Sequence, residues 1–115
     1  MIDVRGPFRV AVLFVLISAI LHIAAVAVGG LSQEALSLLP FGVLYLLFAL
    51  GLARGMRWLA YVVFLVVGIG GSVALASMLA PVAIPAWWRA AIMVADWIAV
   101  LALLVALWCP ATPAA

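Results

Sequence analysis

Four long runs of apolar residues, separated by short breaks rich in polar residues, glycine or proline, dominate the hydrophobic pattern of the chain. A membrane-spanning helix needs about 20 predominantly apolar residues, because each residue advances the helix by about 1.5 Å. All four runs reach that length. The pattern therefore predicts transmembrane helices over about residues 8–28, 35–53, 58–80 and 86–108.

Residues that commonly begin or end helices mark these boundaries. Gly29 and Gly30 end the first segment, and Ser32 precedes the second segment as a polar N-cap. Pro40 lies inside the second segment, where we expect either a kink or a helix that starts later. Pro85 suits the first turn of the fourth segment.

The first segment also has the parts of a secretory signal peptide. Basic residues precede its apolar run, and small residues around Ala25 and Ala27 could form a cleavage site. The run is longer than the ~7–15 apolar residues of a signal peptide. A retained helix is therefore the favoured interpretation.

The connections between the segments are so short that neighbouring helices must be antiparallel. The predicted fold is an all-α, up-down-up-down four-helix bundle that forms a single transmembrane domain over residues 1–115. Every backbone group within the bilayer must be satisfied inside the protein, which a helical bundle achieves. The lipid bilayer is thus the first predicted partner.

Composition supports this fold and excludes several classes of protein. The chain is 73% hydrophobic and 7% charged, whereas a soluble domain has about 25% charged residues. The net charge is only +2, which is too small and too scattered for nucleic-acid binding. The single cysteine, Cys109, excludes an internal disulfide.

Arginine placement predicts the orientation in the membrane, since basic residues favour the cytoplasmic side. Arg5 and Arg9 precede the first segment, and Arg54 and Arg57 occupy the second connection, against Arg89 alone on the opposite side. Both termini should therefore be cytoplasmic. All the basic residues are arginine and alanine is abundant, which suggests a GC-rich bacterial genome. We therefore expect a bacterial inner membrane.

Asp96 is the strongest indication of chemistry within the membrane. It lies near the middle of the fourth segment, about 15 Å from either end. An ionised carboxylate at that depth costs about 2.5 kcal/mol or more, so such residues usually face a bundle interior and have a partner. One interpretation is an ion or proton site. The alternative is a neutral carboxylic acid that donates to a backbone carbonyl or a serine.

His22 lies on the first segment, with Ser18 one turn before it on the same face. If the first and fourth segments are neighbours, His22 and Asp96 differ in depth by about 6 Å, which two side chains can largely bridge. A His–Asp pair would be a proton-holding site. The alternatives are a histidine hydrogen-bonded across the bundle and, more remotely, an axial ligand of a tetrapyrrole. No cofactor or metal site is otherwise predicted.

Tyr45 and Trp97 also lie near the middle of their segments, away from the interfaces where such rings usually anchor. A buried phenol or indole generally needs a hydrogen-bond partner. Either side chain could complete a network with Asp96. Plain packing in the core is the alternative.

Segment three carries small residues at the spacing that lets membrane helices approach closely. Gly68, Ser72 and Ala76 recur every four residues, and Gly70 and Gly71 lie beside them. We expect packing within the bundle, with a homodimer or partner-binding face as the alternative.

The sequence has no nucleotide-binding loop, paired carboxylates or metal-ligand cluster, so no enzymatic activity is predicted. Minimal connections and small-residue faces favour an accessory or assembly subunit, packed in a larger membrane complex or a homo-oligomer. The alternative is a small oligomeric transporter, coupled to ions or protons through Asp96 and His22.

The length and the four-span layout resemble those of the small multidrug-resistance exporters. That family places a glutamate in its first helix, where this chain has His22, and the acid of this chain is Asp96 in the fourth segment. The departure falls on the residue that transport in that family depends on. The resemblance therefore covers the layout alone.

Overall fold

A computed structural model of the protein describes residues 6–78 and 84–108. These residues form four helices: α1 (Pro7–Gly29), α2 (Gln33–Ala53), α3 (Arg57–Ala76) and α4 (Ala86–Trp108). Each helix is long and apolar enough to cross a membrane. The all-α four-helix membrane bundle predicted from the sequence is thus confirmed.

One of the two expectations for Pro40 and the predicted end of the third segment are wrong. Helix α2 begins at Gln33 and runs through Pro40, so the expectation of a later start fails. Pro40 is exposed on the bundle surface, and the kink expected at this position stays a prediction. Helix α3 ends at Ala76 rather than at residue 80, because Ser77 caps it and turns back onto the last carbonyl groups.

Local sequence accounts for the other helix ends. Pro7 occupies the first turn of α1, where its missing N–H group costs nothing. The Ser32 hydroxyl accepts a hydrogen bond from the Ala35 backbone N–H, so the predicted N-cap of α2 is confirmed. Gly30 and Gly55 adopt positive φ angles of 66° and 79° in the first two connections, a backbone conformation that favours glycine.

Some sequence predictions fall outside the described residues. These are the flank that contains Arg5, the end of the third predicted segment at residues 79–80, most of the third connection, and Cys109.

The helices are not packed equally against one another. Helix α1 packs extensively against both α2 and α4, and α3 packs against α4. Helices α2 and α3 make few contacts, although they follow each other in the chain. The bundle is therefore a ring of four helices with one loose seam, between α2 and α3.

Small residues on α1 and α4 allow the close approach of those two helices. Ala11 and Ala19 on α1, and Ala99 on α4, are completely buried. Larger side chains fill the rest of the main core, among them Val15, Leu52, Val63, Val67 and Leu103. A separate small cluster of Ala25, Ala35 and Ile84 closes the end where α2 begins.

Large apolar side chains cover the outside of every helix. Leu13, Leu47, Leu65 and Leu101 are each more than half exposed on α1, α2, α3 and α4 in turn. In water such a surface would aggregate, whereas lipid solvates it. The outer surface is thus consistent with a bundle surrounded by a bilayer.

Candidate functional site

Three predicted polar residues meet at the contact between α1 and α4. Ser18 and His22 lie one turn apart on the face of α1 that meets Asp96 of α4. The Ser18 hydroxyl donates a hydrogen bond to Asp96 Oδ1. Of the partners predicted for Asp96, a serine makes the direct hydrogen bond, whereas His22, the favoured partner, does not bond to Asp96 directly.

His22 joins this group through Ser18. Its ring Nδ1 lies 2.7 Å from the Ser18 backbone carbonyl oxygen and 3.4 Å from the Ser18 hydroxyl oxygen. A carbonyl can only accept a hydrogen bond, so Nδ1 carries a proton. The neutral ring then keeps an acceptor lone pair on Nε2. No hydrogen bond of Nε2 is found within residues 6–78 and 84–108.

Tyr45 extends the group towards α3. Its ring centroid lies 4.9 Å from that of His22, with the planes inclined by 60°. A methyl group on Gly70 would lie 2.5 Å from the Tyr45 hydroxyl oxygen and 3.4 Å from Asp96 Oδ2. The Tyr45 hydroxyl and the Asp96 carboxyl group therefore both lie close to Gly70, where α3 has no side chain. We call Ser18, His22, Tyr45 and Asp96 the polar cluster.

All four members of the polar cluster are buried. Ser18 and Asp96 have no exposed surface, and Tyr45 and His22 are 2% and 5% exposed. Within the described part of the chain, Asp96 Oδ2 has no hydrogen-bond partner. A buried polar atom without a partner is uncommon in proteins and calls for an explanation.

A cavity of about 240 Å³ lies beside the polar cluster in the seam between α2 and α3. His22, Tyr45 and Gly70 form its inner wall, and the exposed side chains of Phe41, Ile69 and Val73 form its rim. We call this space the α2–α3 cavity. It is smaller than the ~300–1,000 Å³ typical of pockets for drug-sized ligands, which weighs against a tetrapyrrole at His22.

The small residues of α3 divide between two faces. Gly71 is buried, and a methyl group there would lie 3.1 Å from Asp96 Cβ and 3.0 Å from the Trp97 ring nitrogen. Gly70 faces the polar cluster. Gly68 is half-buried, and Ser72 and Ala76 are exposed. The predicted packing inside the bundle therefore holds for only part of this set.

The outward-facing set lines an open groove of about 500 Å³ between α3 and α4. Gly68, Ser72 and Ala76 form its floor, and bulkier side chains such as Phe64, Val100 and Trp97 border it. We call this the α3–α4 groove. Trp97 is 38% exposed and borders the groove, so it does not join the polar cluster.

Two contacts at the start of α4 were not anticipated from the sequence. The Trp88 ring nitrogen donates to the Leu21 carbonyl oxygen of α1 at 3.0 Å. The Arg89 guanidinium is buried and donates to the carbonyl oxygen of Ser77 at the end of α3. A cation at a helix C-terminus stabilises its dipole. The sequence carries one sign of this contact, which is that Arg89 lies at the start of the fourth predicted segment, next to the end of the third.

A serine, a histidine and an aspartate in contact invite comparison with a hydrolase triad, but the order of hydrogen bonds differs. In a triad the histidine accepts the serine proton and donates to the aspartate. Here Ser18 donates to Asp96, and His22 donates to the Ser18 backbone carbonyl. Within the described residues, no group of three or more histidine, cysteine or acidic side chains could hold a metal ion.

The polar cluster can therefore link α1 to α4, hold a proton at Asp96 or His22, and present polar atoms to the α2–α3 cavity. Comparison with protein-family models, with curated proteins and with solved structures finds no match for this chain.

Proposed function

We propose that this chain is an accessory subunit of the membrane, and that its α3–α4 groove receives a transmembrane helix of a larger membrane protein. The observation that carries the proposal is the exposure of Ser72 and Ala76 at the floor of that groove. Small residues in membrane helices serve close helix packing, and no helix among the described residues covers Ser72 and Ala76 on this face.

The groove has the dimensions of a helix-packing site. Its floor and borders on α3 extend from Phe64 to Ala76, which corresponds to roughly 18 Å along the helix axis. The Ser72 hydroxyl is already bonded to the Gly68 carbonyl oxygen at 2.9 Å. A partner could therefore bind this face without leaving a polar group unsatisfied.

The groove is open and shallow, so its shape alone does not separate a partner helix from a second copy of this chain. A two-fold dimer brings identical surfaces together, so the shared surface must be self-complementary. A homo-oligomer remains the other outcome of the test.

In this proposal the polar cluster has an internal role. Its hydrogen bond joins Ser18 of α1 to Asp96 of α4, and a buried polar pair can specify how helices are registered. The inner face of α4 is thereby fixed, and its outer face, with Trp97 and Val100, is held in place beside the groove.

The experiment is purification from native membranes in mild detergent, comparing Ser72→Leu with Ser37→Leu. Both serines are exposed and both donate to a carbonyl group one turn earlier in their own helix. Only Ser72 lies in the groove. We expect the wild type and Ser37→Leu to retain a defined partner, and Ser72→Leu to lose it.

Three outcomes would contradict the proposal. A solitary wild-type monomer would remove the partner altogether. Retention of the partner by Ser72→Leu would place the interface elsewhere. An assembly containing only copies of this chain would replace the larger complex with a homo-oligomer.

A second candidate is a small ion- or proton-coupled transporter, favoured by the polar cluster at mid-depth in the bundle. Asp96 and His22 connect through Ser18 and could hold a coupling proton. Complete burial of Asp96 argues for a structural role in this conformation. Flux in proteoliposomes that Asp96→Asn abolishes without unfolding would support the transporter, and absence of flux in the wild type would remove it.

We further propose a bacterial inner membrane, with the N-terminal end of α1 and the C-terminal end of α4 in the cytoplasm. Arg9, Arg54 and Arg57 lie at that end of the bundle, and Arg89 lies at the other. In a Cys109→Ser background, an impermeant maleimide should label Leu31→Cys in intact cells, and should label Arg54→Cys only after permeabilisation. The reverse pattern would invert the orientation.

A further inference from the structure

We propose that the α2–α3 cavity binds a lipid-soluble alcohol or phenol, which enters sideways from the bilayer and hydrogen-bonds through its hydroxyl group to Tyr45 and His22. This site is distinct from the α3–α4 groove. Its polar wall of His22, Tyr45 and Gly70 is not part of the groove, although Ile69 and Val73 line both spaces. The proposal does not depend on the proposed function.

The entrance follows from the packing of the bundle. Helices α2 and α3 make few contacts, and the cavity lies in the seam between them. Phe41, Ile69 and Val73 at its rim are 52%, 64% and 62% exposed on the outer surface. A molecule dissolved in the bilayer meets an apolar opening there, whereas ions and polar solutes would have to leave water to reach it.

Two polar atoms lie at the inner wall without hydrogen bonds. Tyr45 and His22 are more than nine-tenths buried and line the cavity. Neither the Tyr45 hydroxyl nor His22 Nε2 has a hydrogen-bond partner within the described ranges of the chain. In the polar cluster, Asp96 Oδ2 is the fully buried atom without a partner among the described residues, whereas the Tyr45 hydroxyl and His22 Nε2 keep accessible surface. A ligand at this wall could therefore hydrogen-bond to both.

The Tyr45 hydroxyl and His22 Nε2 together favour a ligand that carries a hydroxyl group. The Tyr45 hydroxyl donates, and Nε2 accepts because Nδ1 already carries the ring proton to the Ser18 carbonyl. The hydroxyl group of an alcohol or phenol can accept a hydrogen bond from Tyr45 and donate one to His22 Nε2. A ketone or ether can use only the donor, and a hydrocarbon can use neither. The cavity therefore discriminates between lipophiles of the same shape.

Gly70 keeps the polar wall accessible. A methyl group at this position would lie 2.5 Å from the Tyr45 hydroxyl oxygen, so one of the two would have to move. Gly68, two residues earlier, tolerates a methyl group, since the nearest atom is Val100 Cγ2 at 3.7 Å. The size of the space suits one ring, because an apolar cavity of about 150 Å³ is enough for benzene.

The test uses the purified full chain in lipid nanodiscs and an alkylphenol that carries a photoreactive diazirine on its alkyl tail. Labelled peptides are mapped by mass spectrometry, and labelling is competed with para-octylphenol or with octylbenzene. We expect labels on the cavity rim of α2 and α3. The phenol should compete at a mole fraction roughly 2- to 12-fold lower than the hydrocarbon for each hydrogen bond gained.

Tyr45→Phe should reduce the advantage of the phenol over octylbenzene by a similar factor, because it removes the donor and little volume. Gly70→Ala should suppress labelling of the cavity, while the matched Gly68→Ala should label like the wild type. If Gly70→Ala does not fold, Tyr45→Phe carries the test alone.

Equal competition by phenol and hydrocarbon would reduce the site to an apolar void filled by lipid tails. Labels that map elsewhere on the bundle, or an unchanged preference in Tyr45→Phe, would also overturn the proposal.

Discussion

Ser18→Ala removes the one hydroxyl that connects Asp96 to α1, and its effect follows directly from the geometry. The alanine side chain fits the site, since Ser18 is completely buried and loses only one atom. The change leaves Asp96 Oδ1 without its donor. Because Oδ2 already has no partner among the described residues, the whole carboxyl group becomes unsatisfied.

Two typical energies bound the loss of unfolding free energy that we expect for Ser18→Ala. Hydrogen bonds between membrane helices contribute about 0.6 kcal/mol on average and up to ~1.7 kcal/mol. Leaving a buried polar atom unsatisfied costs about 1–3 kcal/mol. Because Oδ2 has no partner among the described residues in the wild type either, the substitution affects Oδ1 alone, and we expect Ser18→Ala to lower the free energy of unfolding by about 1–3 kcal/mol.

A double-mutant cycle isolates this bond. Asp96→Leu removes the carboxyl group, so adding Ser18→Ala to that background should cost little. The assay is reversible unfolding in mixed micelles, with Ser37→Ala as the control, because that exposed hydroxyl bonds only within its own helix. Additive effects of Ser18→Ala and Asp96→Leu, within about 0.5 kcal/mol, would refute the bond between the two residues.

Two further changes test the packing around the polar cluster. Gly71→Ala would place a methyl group 3.1 Å from Asp96 Cβ, so we expect a loss of about 1–3 kcal/mol in unfolding free energy. Gly68→Ala, measured alongside it, should lie within about 0.5 kcal/mol of the wild type, and equal effects would contradict the assigned faces. Trp88→Phe should cost about 0.5–1.5 kcal/mol by removing the bond to the Leu21 carbonyl, and a neutral result would contradict that bond.

The four helices could be predicted from the sequence alone, because a bilayer requires a minimum length and an apolar composition of each spanning helix. Both properties are plain in the sequence. The sequence was also sufficient for the Ser32 cap. It predicted that Asp96 would meet Ser18 and His22 only on the condition that α1 and α4 are neighbours, and the packing of the bundle supplies that condition. Asp96 is an expensive residue in a bilayer, and helical spacing places Ser18 and His22 on one face. Those two constraints brought the polar residues together.

The direction each small residue faces could not be predicted. In a soluble helix the polar face identifies the outside, but here both faces are apolar and hydropathy does not distinguish lipid from core. Gly70 and Gly71 face the bundle interior, and Ser72 and Ala76 face outward, although all four lie in one short stretch of α3. Hydropathy gave no sign of this difference. The loose seam between α2 and α3 escaped prediction for the same reason.

The sequence allowed either a serine or His22 as the partner of Asp96 and could not distinguish between them. Histidine is the side chain whose charge most readily changes near neutral pH, and this suggested a direct pair between His22 and Asp96. The hydroxyl of Ser18 lies between them and takes the carboxyl group, while His22 donates to the backbone of its own helix. A side-chain position on a helix fixes the face but not which of two neighbours makes the bond.

The central claim is that a transmembrane helix of another protein lies in the α3–α4 groove. Its most direct test is photo-crosslinking in native membranes, with a diazirine amino acid at position 72 in the groove or at position 47 on the exposed outer face of α2. We predict one discrete adduct with a larger protein from position 72 and lipid adducts alone from position 47. Protein adducts from both positions, or from neither, would contradict the claim.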